Sequence, residues 1–172
     1  MYKDLKTYQN TVIIHDFTVE FCRRYVDYKS RTKDQMEQAA RSGKQNITEG
    51  CEASRTSKKT ELKLLGVAYA SLKELLEDYE DYLRQHNLAL WVKDSEPAKA
   101  VRALAYTTHK SYMTYKSYME KPEEACNAMI CLISQTTYML SNQIKSLKEA
   151  FLQEGGFTEN LYKERSERRG RK

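Results

Sequence analysis

The sequence predicts an all-α protein: an up-and-down four-helix bundle with an extra helical segment and a basic C-terminal tail. Three observations carry that expectation. Glycine and proline are scarce, 6 and 2 in 172 residues, which favours long uninterrupted helices over strands and turns. Apolar residues recur in alternating steps of three and four through five windows, the period of a helix face rather than the two-residue period of a strand. Start and stop chemistry separates most of these windows: serine or aspartate ahead of a helix, proline or glycine after one.

The first helix is expected over about 4–28, where Leu5, Tyr8, Val12, His15, Val19, Cys22 and Val26 share a stripe widened by Ile14, Phe17, Phe21, Tyr25 and Tyr28. His15 on that stripe reads as a hydrogen-bonded core histidine. The second, about 32–53, has an inner face of Met36, Ala39, Ala40, Gly43, Ile47 and Gly50, small enough to let a neighbouring backbone come close. SRTSKK at 54–59 is a loop in which Ser57 or Thr60 caps the third helix, about 58–86. Leu62, Leu65, Tyr69, Leu72, Leu76, Tyr79 and Leu83 form its core stripe, and ELLEDYEDY makes its second half acidic, read as a solvated face.

HNLALWVKD at 86–94 breaks the pattern. Asp94 or Ser95, with Pro97 in the first turn, starts a helix over about 96–119 through Val101, Leu104, Ala105, Thr108, Tyr112, Tyr115 and Met119. Lys121-Pro122 ends it, because proline disfavours helical geometry in the preceding residue. The last helix, about 122–153, carries Cys126, Ile130, Ile133, Thr137, Leu140, Ile144, Leu147 and Phe151 and stops at Gly155-Gly156. Residues 1–157 thus form one helical domain. Residues 158–172 are expected as a frayed, disordered basic tail; their six basic residues against three glutamates hold +3 of the chain's +5.

Composition bounds the function. No run of about 20 apolar residues occurs, so no membrane span is expected. The polar start MYKDLKTYQN has no signal-peptide core, which points to a cytoplasmic protein and makes Asn46-Ile47-Thr48 an unused sequon. Cys22, Cys51, Cys126 and Cys131 form no C-x-x-C pair, and His15, His86 and His109 show no ligand spacing, so no metal and no cofactor is expected. No catalytic residues are assigned. The charge of +5 permits a polyanionic partner.

One stretch stands apart. SGKQNITEG at 42–50 places two glycines and a polar run inside a helix, where each glycine costs roughly 1 kcal/mol relative to alanine. A buried Asn or Glu costs several kcal/mol more unless hydrogen-bonded. Gln35, Ser42, Asn46, Glu49, Gly50, Ser71 and Glu74 are therefore read together as a polar motif that sets helix register, with a subunit contact or a ligand or nucleic-acid site as alternatives. It is not a P-loop, since Gly43-Lys44 lacks the upstream glycine and the following Ser or Thr.

Gln35, Ala39, Ala40, Ser42, Asn46, Ile47, Glu49 and Gly50, followed by Ala68, Ala70, Ser71, Leu72, Glu74 and Leu75, resemble the two sequence blocks of a bacterial four-helix-bundle family. That family is named after the protein encoded in the intervening sequence of 23S rRNA genes. The accessory variability determinant of diversity-generating retroelements is similar. The resemblance covers roughly residues 5–86. Gly43 departs from it, standing where a branched apolar residue is usual, and residues 88–120 are an addition. The resemblance implies a homopentamer without catalysis, and for the retroelement members a basic accessory role binding nucleic acid and a reverse transcriptase.

Two further features bear on function. Tyrosines interleave with lysines in THKSYMTYKSYMEK, so Lys110 and Lys116, with Lys163, Arg165, Arg168, Arg169, Arg171 and Lys172 of the tail, are candidate contacts to RNA or DNA. Tyr112, Tyr115 and Met119 are expected to pack inward or into a subunit interface while the lysines are solvated. Arg102 and His109, seven apart on the helix expected over about 96–119 and hence on one face, echo the R-x(4–6)-H signature of HEPN-type ribonucleases. The expected function is a non-enzymatic oligomeric accessory protein with nucleic-acid or protein partners; the alternatives are that ribonuclease and a purely structural interaction scaffold.

Overall fold

The computed structural model describes residues 2–107, 109–155 and 157–170. It is all-α: 83% helical, with seven helices and no strand among the described residues. The helices are α1 (Lys6–Tyr25), α2 (Arg31–Ala53), α3 (Lys58–Gln85), α4 (Glu96–Leu104), α5 (Tyr112–Tyr115), α6 (Pro122–Glu154) and α7 (Phe157–Gly170). No described helix is long and apolar enough to cross a membrane.

The four long helices pack in a closed circuit: α1 on α2, α2 on α3, α3 on α6, and α6 on α1. Side-chain contacts give their directions. Cys22 near the end of α1 meets Met36 near the start of α2, Sγ to Sδ 3.9 Å. Ser42 bonds Ser71 at 2.8 Å while Gly50 lies against Glu61 and Leu65, so α3 runs back along α2. Asn10 donates to Thr136 at 3.0 Å and Tyr25 Oη to the Met119 carbonyl at 2.6 Å, so α6 runs antiparallel to α1.

The face that α1 buries differs from the expected one. Ile14, Phe17, Phe21 and Cys22 are fully buried, but the remaining inward positions are Ile13 and the polar Thr7, Asn10, Thr11 and Thr18, and Val19 is 39% exposed. Two adjacent apolar stripes run along this helix, and periodicity alone does not choose between them. Hydrogen bonding makes the polar choice tolerable: Thr18 shares a 3.0 Å bond with Tyr79, and Thr11 donates to the Tyr8 carbonyl at 2.7 Å. On α2 the buried set is Met36, Ala39, Ala40, Gly43, Ile47 and Gly50, the small-residue face read from the sequence. Ser57 caps α3, accepting from the Thr60 N–H at 3.2 Å.

The single helix expected over 96–119 is broken. Helix α4 stops at Leu104, His109 takes a left-handed conformation (φ 55°), and the chain restarts at α5, which runs into a 3-10 turn over Lys116–Glu120. Ser111 supplies the restart with a reciprocal cap: its Oγ accepts from Met113 N–H at 3.3 Å, and Thr114 Oγ1 accepts from Ser111 N–H at 3.1 Å. Tyr115 and Met119 still reach the core, both fully buried.

The segment before α4 is held from outside. Asn127 on α6 accepts from Trp91 N–H at 2.7 Å and donates to the Ala89 carbonyl at 2.8 Å, pinning residues 89–91 as a paired strand would. Beyond Gly155, where a frayed tail is expected, the chain forms α7. Its Lys, Glu, Arg and Leu content suits a helix, and Glu164 and Arg168 stand at the favourable i, i+4 spacing.

Candidate functional site

The polar motif read from the sequence divides in two. Ser42 and Ser71 join α2 to α3 through their hydroxyls at 2.8 Å, and Asn46 Nδ2 backs them, donating to the Ser42 carbonyl at 2.9 Å and to its Oγ at 3.1 Å. Gly43, one residue from Ser42, lets α3 approach; a β-carbon there would stand 2.9 Å from Leu72 Cδ2. Gln35, Ser42, Ser71 and Glu74 then line one groove of about 860 Å³ between the outer faces of α2 and α3. Gly50 lies a turn or more away against the α3 backbone, and Glu49 is exposed outside the groove.

Charge dominates this groove. Asp34, Glu74, Glu77, Asp78 and Asp81 line it against a single arginine, Arg31. Burial pushes the Asp78 carboxyl above its ordinary value, and the neighbouring Asp81, Glu74 and Glu77 charges push it further. A second hollow of about 420 Å³ shares Gln35, Asp78 and Asp81 and extends the groove to Tyr25, Tyr82 and His86. There the Tyr82 and His86 rings stack with centroids 3.9 Å apart and planes 18° from parallel, and His86 Nδ1–H donates to the Tyr82 carbonyl at 2.8 Å. The result is an anionic channel with an aromatic end.

The candidate nucleic-acid contacts are scattered. Lys110 is not a solvated lysine: its ammonium donates to the Ala105 carbonyl at 3.2 Å, and burial, then the Lys6 charge, hold its pKa below the ordinary value. Lys116 is exposed on the 3-10 turn. Arg165, Arg168 and Arg169 are exposed on α7; Arg171, Lys172 and the Lys163 side chain lie outside the described residues. Arg102 and His109 do not share a helix. Arg102 is half-buried on α4 and His109 sits in the left-handed turn after it, which removes the common face on which the ribonuclease alternative depended. Thr108, between them, lies outside the described residues.

Among the described residues no group of three or more His, Cys, Asp or Glu is placed to hold a metal. The cysteines are free, and burial pushes the Cys22 thiol up to about 12 and also raises Cys51, Cys126 and Cys131, so none is a ready nucleophile.

Sequence reading missed two things. Asn127 faces inward from α6 and carries the connection to α4; a lone Asn beside a core stripe was its only signal. The order in α7 was legible in the spacing of its charges. Arg165, Arg168 and Arg169 stand at i, i+3 and i+4 with Leu161 and Tyr162 on the same side, while Glu167 falls opposite and Glu164 flanks Arg168 at i, i+4.

No protein-family model matches the chain, and no curated protein or solved structure matches it.

Proposed function

We propose that the chain is a non-enzymatic accessory protein of the cytoplasm, an up-and-down four-helix bundle that works as a homo-oligomer and engages polyanions through α7. The observation that carries this reading is the charged face of α7, where exposed Arg165, Arg168 and Arg169 share one side with Leu161 and Tyr162. Arginines spaced to follow a phosphate backbone, beside a stacking tyrosine, suit RNA or DNA. The circuit of α1, α2, α3 and α6 supports the bundle. The resemblance of the Gln35–Gly50 and Ala68–Leu75 blocks to the intervening-sequence family supports an assembly of pentameric order without catalysis.

A salt titration of RNA and DNA binding tests this. Log affinity should fall steeply with log salt, and Arg165→Ala/Arg168→Ala/Arg169→Ala should flatten the slope by about two to three. Flat or absent binding at low salt ends the nucleic-acid reading; a monomer in sedimentation ends the assembly reading.

A further inference from the structure

The acidic groove between α2 and α3 and the basic face of α7 have the same charge spacing with opposite sign. Glu74, Glu77, Asp78 and Asp81 follow i, i+3, i+4, i+7 along α3; Arg165, Arg168, Arg169 and, in the sequence, Lys172 follow the same steps. Their lengths also agree. Helix α7 has 14 residues, about 21 Å. From Ser71 to the ring of His86 the α3 wall of the groove runs about 22 Å. Both ends carry aromatic or apolar groups beyond the charges: Tyr82 and His86 at the groove's end, Leu161 (37% exposed) and Tyr162 (73% exposed) on α7.

A helix cannot reach the groove of its own chain. Gln143 of α6 is level with Thr7 at one end of the molecule, through a 3.3 Å bond, and α6 continues about 16 Å past it to Glu154. The acidic end of the groove lies at the opposite end, where Tyr82 Oη donates to the Tyr25 carbonyl at 3.3 Å. From the end of α6 back to the level of Asp81 is about 42 Å, well beyond the length of α7.

We propose that α7 of one copy docks into the α2–α3 groove of a second copy, antiparallel to α3. Leu161 and Tyr162 lie toward Tyr82 and His86, Arg165 meets Asp81, and Arg168 and Arg169 meet Asp78, Glu77 and Glu74. The inference rests on the homo-oligomer reading and names the contact that builds the assembly. Asp81 is bridged to Arg84 at 2.8 Å and Asp34 lies 4.0 Å from Lys33, yet the charges of Asp81, Glu74 and Glu77 still repel that of Asp78. An arginine-rich helix relieves that repulsion while its aromatic residues cover the end hollow.

Sedimentation velocity on the full chain tests it, with fold checked by circular dichroism. The wild type should associate at about 50 mM salt and dissociate toward about 500 mM, where the Debye length falls below about 5 Å. Arg165→Glu/Arg168→Glu/Arg169→Glu should sediment as a monomer at low salt, as should Glu74→Lys/Glu77→Lys/Asp81→Lys. One chain carrying both sets should associate again. If the arginine-reversed chain stays associated, the copies meet through another face: this contact is wrong while the oligomer reading survives. A folded chain with both reversals that remains monomeric also overturns the contact. A monomeric wild type overturns both readings.

Discussion

Gly43 lies directly beneath Leu72: a β-carbon on it would stand 2.9 Å from Leu72 Cδ2 and 3.0 Å from Cγ. Gly66, one helix over, is exposed with nothing within 4 Å of the same position. The two glycines therefore answer substitution in opposite ways. Gly43→Val forces α2 and α3 apart and should cost about 1–3 kcal/mol. Gly66→Ala gains helix propensity without a clash and should stabilise by about 1 kcal/mol, raising Tm by roughly 2–4 °C. Thermal unfolding of the two variants checks both signs; a Gly43→Val protein as stable as wild type would show that the helices do not need this approach.

Asn127 holds the connection between α3 and α4 through Trp91 and Ala89, and it is only 1% exposed. Removing its amide leaves a backbone donor and a backbone acceptor without their partner, at about 1–3 kcal/mol. Trp91 is the chain's single tryptophan and packs edge-on to Tyr118 at 6.4 Å, so it reports directly. Asn127→Ala should shift its emission to the red and increase quenching by iodide. An unchanged spectrum would mean that packing alone orders the segment.

The α1–α2 contact carries a pH dependence. Lys44 Nζ donates to His15 Nδ1 at 3.1 Å, and Asp16 Oδ1 is 3.7 Å from the same nitrogen. Burial first, then Lys44 and Arg41, hold the His15 pKa below its ordinary 6.5, with Asp16 and Glu37 pulling the other way. The unfolded chain therefore binds this proton more readily than the folded one. Stability contributed here is complete above about pH 6.5 and declines as pH falls from there through the lowered folded value. Glu20 acts in a separate window: its bonds to Arg23 and Arg24 hold it at about 2, so its contribution is present above 4.5 and is lost as pH falls through about 2. The urea midpoint should drop between about pH 7.5 and 5.5, and His15→Gln should flatten that drop. A drop of equal size in His15→Gln would assign it to another group.

Docking of α7 in the groove and binding of α7 to nucleic acid use the same arginines, so they compete. Glu74→Gln/Glu77→Gln/Asp81→Asn removes groove charge without adding any cation. These substitutions should raise apparent RNA affinity at low salt while weakening self-association. Unchanged affinity alongside weakened association would place the nucleic-acid surface elsewhere than α7.

What could be read from the sequence was local in character. The all-helical class, the α2 face of Met36, Ala39, Ala40, Gly43, Ile47 and Gly50, and the Ser57 cap each depend on residues within a few turns, where spacing and side-chain size decide. Spacing also held the amphipathic charge of α7, although composition alone argued for a frayed tail. Tertiary structure decided what depends on more than one helix. Which of two stripes α1 buries followed from partners on α3 and α6, because Thr18 bonds Tyr79 and the Asn10 Nδ2 donates to Thr136. The break between Arg102 and His109 followed from a reciprocal cap at Ser111 that outcompeted helix continuation. The acidic run ELLEDYEDY reads in sequence as a solvated face. It becomes one wall of a groove only because the Ser42–Ser71 bond and the Gly43–Leu72 approach bring α2 alongside it.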